Sequence, residues 1–140
     1  MPEPLHTTKT TKRERADGKG AVVCRFVDTV CRQTKDTIAG HSGELLALRD
    51  WQSDLIDALL AADTGGRRLH RRALIGVPRK NGKSALSAGI ALADLFLTGP
   101  RGGEVYSCAA DRDQARIVFG MAQRMVELEP DLAAMAKIYR

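Results

Sequence analysis

Ala73-Leu74-Ile75-Gly76-Val77-Pro78-Arg79-Lys80-Asn81-Gly82-Lys83-Ser84 is the stretch on which the fold turns. Its first five residues form a continuous apolar run between basic residues and Pro78, the pattern of a parallel strand buried on both faces. The residues that follow, 82–97, are apolar nearly all round, as suits a helix enclosed by a sheet and its neighbours. Between them lies a variant of the phosphate-loop pattern G-x-x-x-x-G-K-[ST], in which Val77 holds the first glycine position and Gly76 falls one residue early. The chemistry assigns roles. Backbone N–H groups of Arg79, Lys80, Asn81, Gly82, Lys83 and Ser84 can wrap a phosphate at a helix N-terminus, where the helix dipole favours negative charge. Gly82 lets that backbone approach without a Cβ. Lys83 reaches toward the β- and γ-phosphates of ATP, and the Ser84 hydroxyl is placed to ligate Mg2+. The plainer alternative is a basic turn ahead of a helix.

Outward from the loop, Glu104-Val105-Tyr106-Ser107-Cys108-Ala109 reads as a second strand entered from a Gly-Pro-Arg-Gly-Gly turn. Asp111 offers an N-cap with Gln114 three residues on, and Ile117, Val118, Met121, Met125 and Leu128 form the stripe of a helix that Pro130 closes. Upstream, Val23, Phe26, Val27, Val30 and Cys31 recur at helical steps. A second helix is expected from Asp50 as N-cap through Trp51, Leu55, Ile56, Leu59 and Leu60, stopped by Gly65-Gly66. Gly40, Ser42 and Gly43 mark the loop between these two helices. The expected fold is therefore α/β of the P-loop NTPase type: two helices, then strand, P-loop, helix, strand, helix in a partial parallel sheet with a right-handed crossover.

Length and composition narrow the function. A chain of 140 residues leaves room for one domain. Residues 1–20 lack any apolar period and are expected to be a disordered basic arm, with residues 21–140 as the N-terminal portion of an ATPase domain. Aromatics at 4% argue against rows of base-stacking platforms. No apolar run approaches the roughly 20 residues of a membrane span, and residues 1–19 hold no apolar signal core, so the expected setting is cytoplasmic, away from membranes. Cys24, Cys31 and Cys108 form no C-x-x-C pair, which suggests neither a disulfide framework nor zinc. The net charge is +5, yet residues 64–93 alone carry +7 with no Asp or Glu, leaving −2 elsewhere. Such a field attracts nucleotide phosphates or a nucleic-acid backbone, although Arg67, Arg68, Arg71 and Arg72 alone could equally be a solvated loop.

Together, the loop Val77-Pro78-Arg79-Lys80-Asn81-Gly82-Lys83-Ser84, the upstream Leu48-Arg49-Asp50-Trp51-Gln52 and the downstream run from Glu104 to Ala115 resemble the large terminase subunits of tailed double-stranded DNA phages. These are ATP-driven motors that package DNA into proheads. The resemblance spans roughly residues 21–140. It implies that Gln52, with Trp51 beside it, sits at the adenine-binding position. It implies too that Arg79 senses or stabilises the γ-phosphate as an arginine finger acting in cis, a catalytic role shared with Lys83. Without the resemblance, Gln52 and Trp51 read equally as an exposed helical glutamine and a core tryptophan. The implied partners are double-stranded DNA, the portal and the small terminase subunit, with a ring homo-oligomer in the host cell cytoplasm.

One element of such a motor has no counterpart in the sequence. An ATPase of this class uses an apolar strand ending in Asp to position Mg2+, commonly followed by Glu to orient water. Downstream of Ser84, Asp94 lies in the helical run, while Glu127, Glu129 and Asp131 surround Pro130. A nuclease domain is absent as well. The expectation is a truncated chain or one completed by a separate polypeptide, binding nucleotide with little turnover. Two other functions remain open: a different P-loop translocase of helicase type, and a non-catalytic basic protein of DNA binding or assembly.

Overall fold

The computed structural model describes residues 18–38 and 40–139. The arm expected over residues 1–20 lies, as far as Asp17, outside the described residues. Among the described residues five helices occur in order: α1 Lys19–Val30, α2 Asp50–Leu60, α3 Lys83–Ala93, α4 Arg112–Leu128 and α5 Pro130–Met135. A π-helical turn, Asp94–Thr98, prolongs α3.

Helix α1 buries Val23, Phe26 and Val27 and passes directly into buried Cys31. It packs on α2 and α3, and α3 packs in turn on α4. Two glycines set how closely these helices approach. A Cβ on Gly20 would stand 2.8 Å from Asp57 Cα and collide with Asp57 Oδ1, so the first turn of α1 lies against the backbone of α2. On Gly89 of α3 it would meet Val27 Cγ2 at 3.1 Å, so α1 and α3 are almost as close. The core runs through Ile56 and Leu60 of α2, Leu86 and Leu92 of α3, Met125 and Val126 of α4 and Leu132 of α5. Burying each large aliphatic side chain stabilises the fold by about 1.5–3 kcal/mol. Burial also pushes the Cys31 thiol from its ordinary 9.0 up to about 12, since a thiolate there would lose its hydration.

The expected parallel sheet is not present. Among the described residues there is no strand, and residues 73–77 and 104–109 run without regular structure and largely exposed. The segments do approach one face of α3: Ala73, Ile75 and Val105 line a cavity of about 320 Å³ with Ile90 and Ala91. No ladder joins them, so there is no strand pair for a crossover to connect. The reason is that a strand is stabilised by a neighbour, and a two-stranded pair is marginal even with a tight turn. Helix α3 is correspondingly not enclosed by a sheet. Leu86, Ala88, Gly89, Leu92 and Ala93 are buried, while Ser87 is exposed and Ile90 half-buried.

Three boundaries also move. Helix α2 begins at Asp50, so Arg49 and not Asp50 is the N-cap. Asp50 in the first turn then sits where the helix dipole favours a carboxylate. Pro130 does not simply close α4. The helix ends at Leu128, and Pro130 opens α5 in a first-turn position where its missing N–H costs nothing. The loop at 40–43 belongs to a small antiparallel turn-back, in which Gln33 N–H donates to Glu44 O at 2.7 Å and Leu46 N–H to Cys31 O at 2.8 Å. Arg32 fastens this turn-back to the far end of the chain, donating to Gly43 O at 3.0 Å and pairing with Glu129 at 2.8 Å.

Candidate nucleotide site

Gly82 is the N-cap of α3, with φ +72 in the left-handed region, and Lys83 is the first helical residue. The first bond of the helix runs from Leu86 N–H to Gly82 O at 2.9 Å. The N–H groups of Lys83, Ser84 and Ala85 therefore precede any helical acceptor, and no side chain caps them. Helix α4 is different: there Asp111 accepts the Gln114 N–H at 2.8 Å, as the sequence spacing leads one to expect. An uncapped N-terminus approached by an apolar segment is the arrangement that leaves donors for an anion.

The loop ahead of it carries strain. Lys80 has φ +66, the sole left-handed residue other than glycine among the described residues. A lysine held there costs of order 1–2 kcal/mol relative to its relaxed backbone. Two left-handed residues within three positions bend the backbone sharply, which is how consecutive N–H groups come to line a concave anion site. The Asn81 amide donates back to Pro78 O at 3.4 Å, a long bond that ties the turn to the end of the apolar segment. Arg79, Lys80 and Lys83 are exposed, and none of them makes an ion pair among the described residues. Three cations thus surround donors that no protein acceptor occupies.

The structure brings Gln52 to this loop from some thirty residues upstream. A Cβ on Gly82 would stand 3.7 Å from Gln52 Nε2. The glutamine is held by its other end, Oε1 accepting the Arg49 N–H at 2.9 Å while its own backbone N–H donates to Arg49 O at 2.9 Å. Trp51, on a different face of α2, does not share that position. Its partly exposed ring lines a second cavity, of about 220 Å³, with Val77, Lys83, Ser84 and Val118. Sequence reading missed the anchoring role of Arg49, although Arg49 and Gln52 have the spacing of an N-cap and its third helical residue. It also missed Lys80 as the strained residue, for which a lysine gives no signal.

The acids fall elsewhere. Asp94 stands at the other end of α3, roughly 16 Å along the helix axis from Lys83. It is occupied there, accepting from Arg68 at 3.1 Å and from the Thr98 hydroxyl at 3.0 Å. Asp111 caps α4. No group of three or more His, Cys, Asp or Glu side chains that could hold a metal occurs among the described residues.

The terminase large subunit ATPase domain family matches residues 50–138, from the start of α2 past the end of α5. The chain belongs to that family. A large terminase subunit of Enterobacteria phage HK97 is 33% identical to it over 123 residues, covering 86% of this chain and 23% of that protein. The chain thus spans about a quarter of the length of this terminase relative. No solved structure matches the chain significantly. Gln52, the loop and Asp111 all fall inside the terminase ATPase match, whereas α1, the turn-back at 31–46 and Arg49 precede it.

Proposed function

We propose that the loop at residues 78–84 binds the phosphates of Mg-ATP and that the chain is the nucleotide-binding part of a DNA-packaging motor. The observation that carries this reading is the uncapped N-terminus of α3, with left-handed Gly82 at its head and Gln52 against it. In this reading the N–H groups of Gly82, Lys83 and Ser84 hold a phosphate, and the Lys83 ammonium neutralises its β- and γ-oxygens. Arg79 and Lys80 add positive charge at the mouth, with Arg79 acting toward the γ-phosphate in cis. Asn81 keeps the turn closed through Pro78. The Ser84 hydroxyl suits Mg2+, which needs few protein ligands because it keeps water and phosphate oxygens around it. The metal, when bound with the nucleotide, supplies charge neutralisation at the phosphates. Gln52 meets the base edge, and Trp51 packs behind Lys83 and Ser84.

Hydrolysis at a motor's rate is outside what these residues supply, because Asp94 and Asp111 are occupied and distant from the loop or engaged in capping. Loss of one positioned catalytic group commonly costs a factor of about 10² to 10⁴ in rate. The exposed arginines at 67, 71 and 72 are placed to meet the phosphate backbone of double-stranded DNA. The portal, the small terminase subunit and a ring of copies are the partners of this reading, and the host cell cytoplasm its setting. No helix of the described residues is long and apolar enough to cross a membrane.

Calorimetric titration of the chain with Mg-ATP, beside Lys83→Ala, tests it. Binding by the parent that weakens by about tenfold or more in the variant is expected, since a charge-assisted contact contributes about 1.5–3 kcal/mol. Equal binding by both would remove the phosphate-loop assignment.

A further inference from the structure

The arginines that follow α2 are not equivalent. Arg67, Arg68, Arg71 and Arg72 are all exposed, yet of these only Arg68 is engaged by an acid, its guanidinium donating to Asp94 Oδ1 at 3.1 Å. Arg67, Arg71 and Arg72 make no ion pair among the described residues. Residues 64–93 contain no Asp or Glu, so the partner of Arg68 is the first carboxylate after the basic stretch.

Both ends of this pair are placed by other bonds. The loop carrying Arg68 is held by Asp63, whose carboxylate accepts the Gly65 and Arg67 N–H groups, each at 2.9 Å, while the Leu69 N–H donates to Ala61 O at 2.9 Å. Asp94 Oδ1 also accepts the Thr98 hydroxyl at 3.0 Å across the π-helical turn. Exposed ion pairs contribute little to stability, because two side chains must be ordered to form them. The effect on a third charge does not depend on that balance. A phosphate approaching Arg68 meets a cation already neutralised and, if it takes the guanidinium, a carboxylate left close by that repels it. No acid is paired with Arg71 or Arg72 to oppose a phosphate there in the same way.

We infer that Asp94 withholds Arg68 from the DNA backbone, leaving Arg67, Arg71 and Arg72 as the phosphate contacts of this loop and making Asp94 the residue that limits its grip. A surface that DNA moves across must release the phosphates it takes, and one contact fewer makes release faster. This rests on the DNA-backbone reading of the preceding section and adds which charges act.

Fluorescence anisotropy of a labelled duplex of about 20 base pairs, titrated with the chain between about 50 and 200 mM salt, tests it. Each phosphate contact steepens the fall of log affinity with log salt by about 0.9, or about 3.5-fold across that range. Asp94→Asn keeps an oxygen for the Thr98 hydroxyl and frees Arg68. Its slope is expected to steepen by about 0.9 and its affinity at the low-salt end to rise about three- to tenfold. Arg71→Ala should make the slope shallower by about as much. The double variant Arg68→Ala/Asp94→Asn removes cation and anion together and should bind as the parent does. A double variant as weak as Arg71→Ala, or an Asp94→Asn chain with the parent's slope and affinity, overturns the inference while the loop remains a DNA surface. Parent binding without salt dependence, or binding indifferent to both Arg71→Ala and Arg72→Ala, overturns the DNA-backbone reading and this inference with it.

Discussion

Replacing Gly82 by alanine isolates the backbone term of the site. Space is not the obstacle, because the nearest atom to an added Cβ is Gln52 Nε2 at 3.7 Å, ordinary contact distance. The cost is conformational. At φ +72 an L-residue is disfavoured by about 1–2 kcal/mol, and the stiffer unfolded chain of alanine returns about 0.4–1 kcal/mol of that. Gly82→Ala should therefore lose about 1 kcal/mol, lowering the melting temperature by about 4 °C for a chain of this size. Lys80 supplies the mirror experiment, since it already holds φ +66 with a side chain in place. Lys80→Gly relieves a similar strain and gains about 0.5–1 kcal/mol after the extra freedom of the unfolded glycine is counted. The double variant should return close to the parent. Urea unfolding followed by circular dichroism at 222 nm measures all three. A Gly82→Ala chain as stable as the parent, together with a Lys80→Gly chain no more stable, would show that the loop does not turn through two left-handed residues.

Gly20→Ala should destabilise by about 1–2 kcal/mol despite alanine's better helix propensity, because the clash is with the Asp57 backbone; Gly89→Ala, which meets the Val27 methyls at 3.1 and 3.5 Å and the Cys31 sulfur at 3.7 Å, should cost less, and thermal melts of the pair check the contrast. The Cys31 thiol is held neutral in the fold, from an ordinary 9.0 up to about 12, so its contribution to stability is full below pH 9 and drains as pH rises toward 12. Urea midpoints between pH 8 and 10.5 should fall more steeply in the parent than in Cys31→Ala. Asp111→Ala removes the cap on the Gln114 N–H and should cost about 1 kcal/mol, while Asp111→Asn keeps most of it, both read from urea midpoints.

What the sequence disclosed follows the range of the interactions involved. Helix α4 was legible because its signals are local: Asp111 caps three residues ahead, and Met125 recurs on the apolar period. The same local reasoning misplaced Pro130, since a proline that ends one helix is equally suited to begin the next. Residues 73–77 carry the composition of a buried strand, but strandness depends on a partner far along the chain, which composition does not report. The loop itself could be read from Gly82, Lys83 and Ser84, although the strained residue, Lys80, could not. The approach of Gln52 to Gly82 is tertiary, and only the terminase resemblance anticipated it. The bond from Oε1 to the Arg49 N–H, which decides how that glutamine presents itself, was open to sequence reading through its capping-box spacing.

The ion pair between Arg32 and Glu129 bridges 97 positions of the chain and closes α1 and its turn-back against the junction of α4 and α5. Chain synthesis therefore delivers the two halves of the fold at different times. Helices α1 and α2 can dock once residue 60 has emerged. Val27 and Cys31 then wait for α3, whose Gly89 packs on both. At bacterial elongation rates of about 5–20 residues per second, the interval from residue 60 to the end of α3 lasts about 2–7 s, and Arg32 waits longer still for Glu129. The nascent helical pair is thus most open to capture by chaperones, or by another copy of itself, in the seconds before α3 leaves the ribosome.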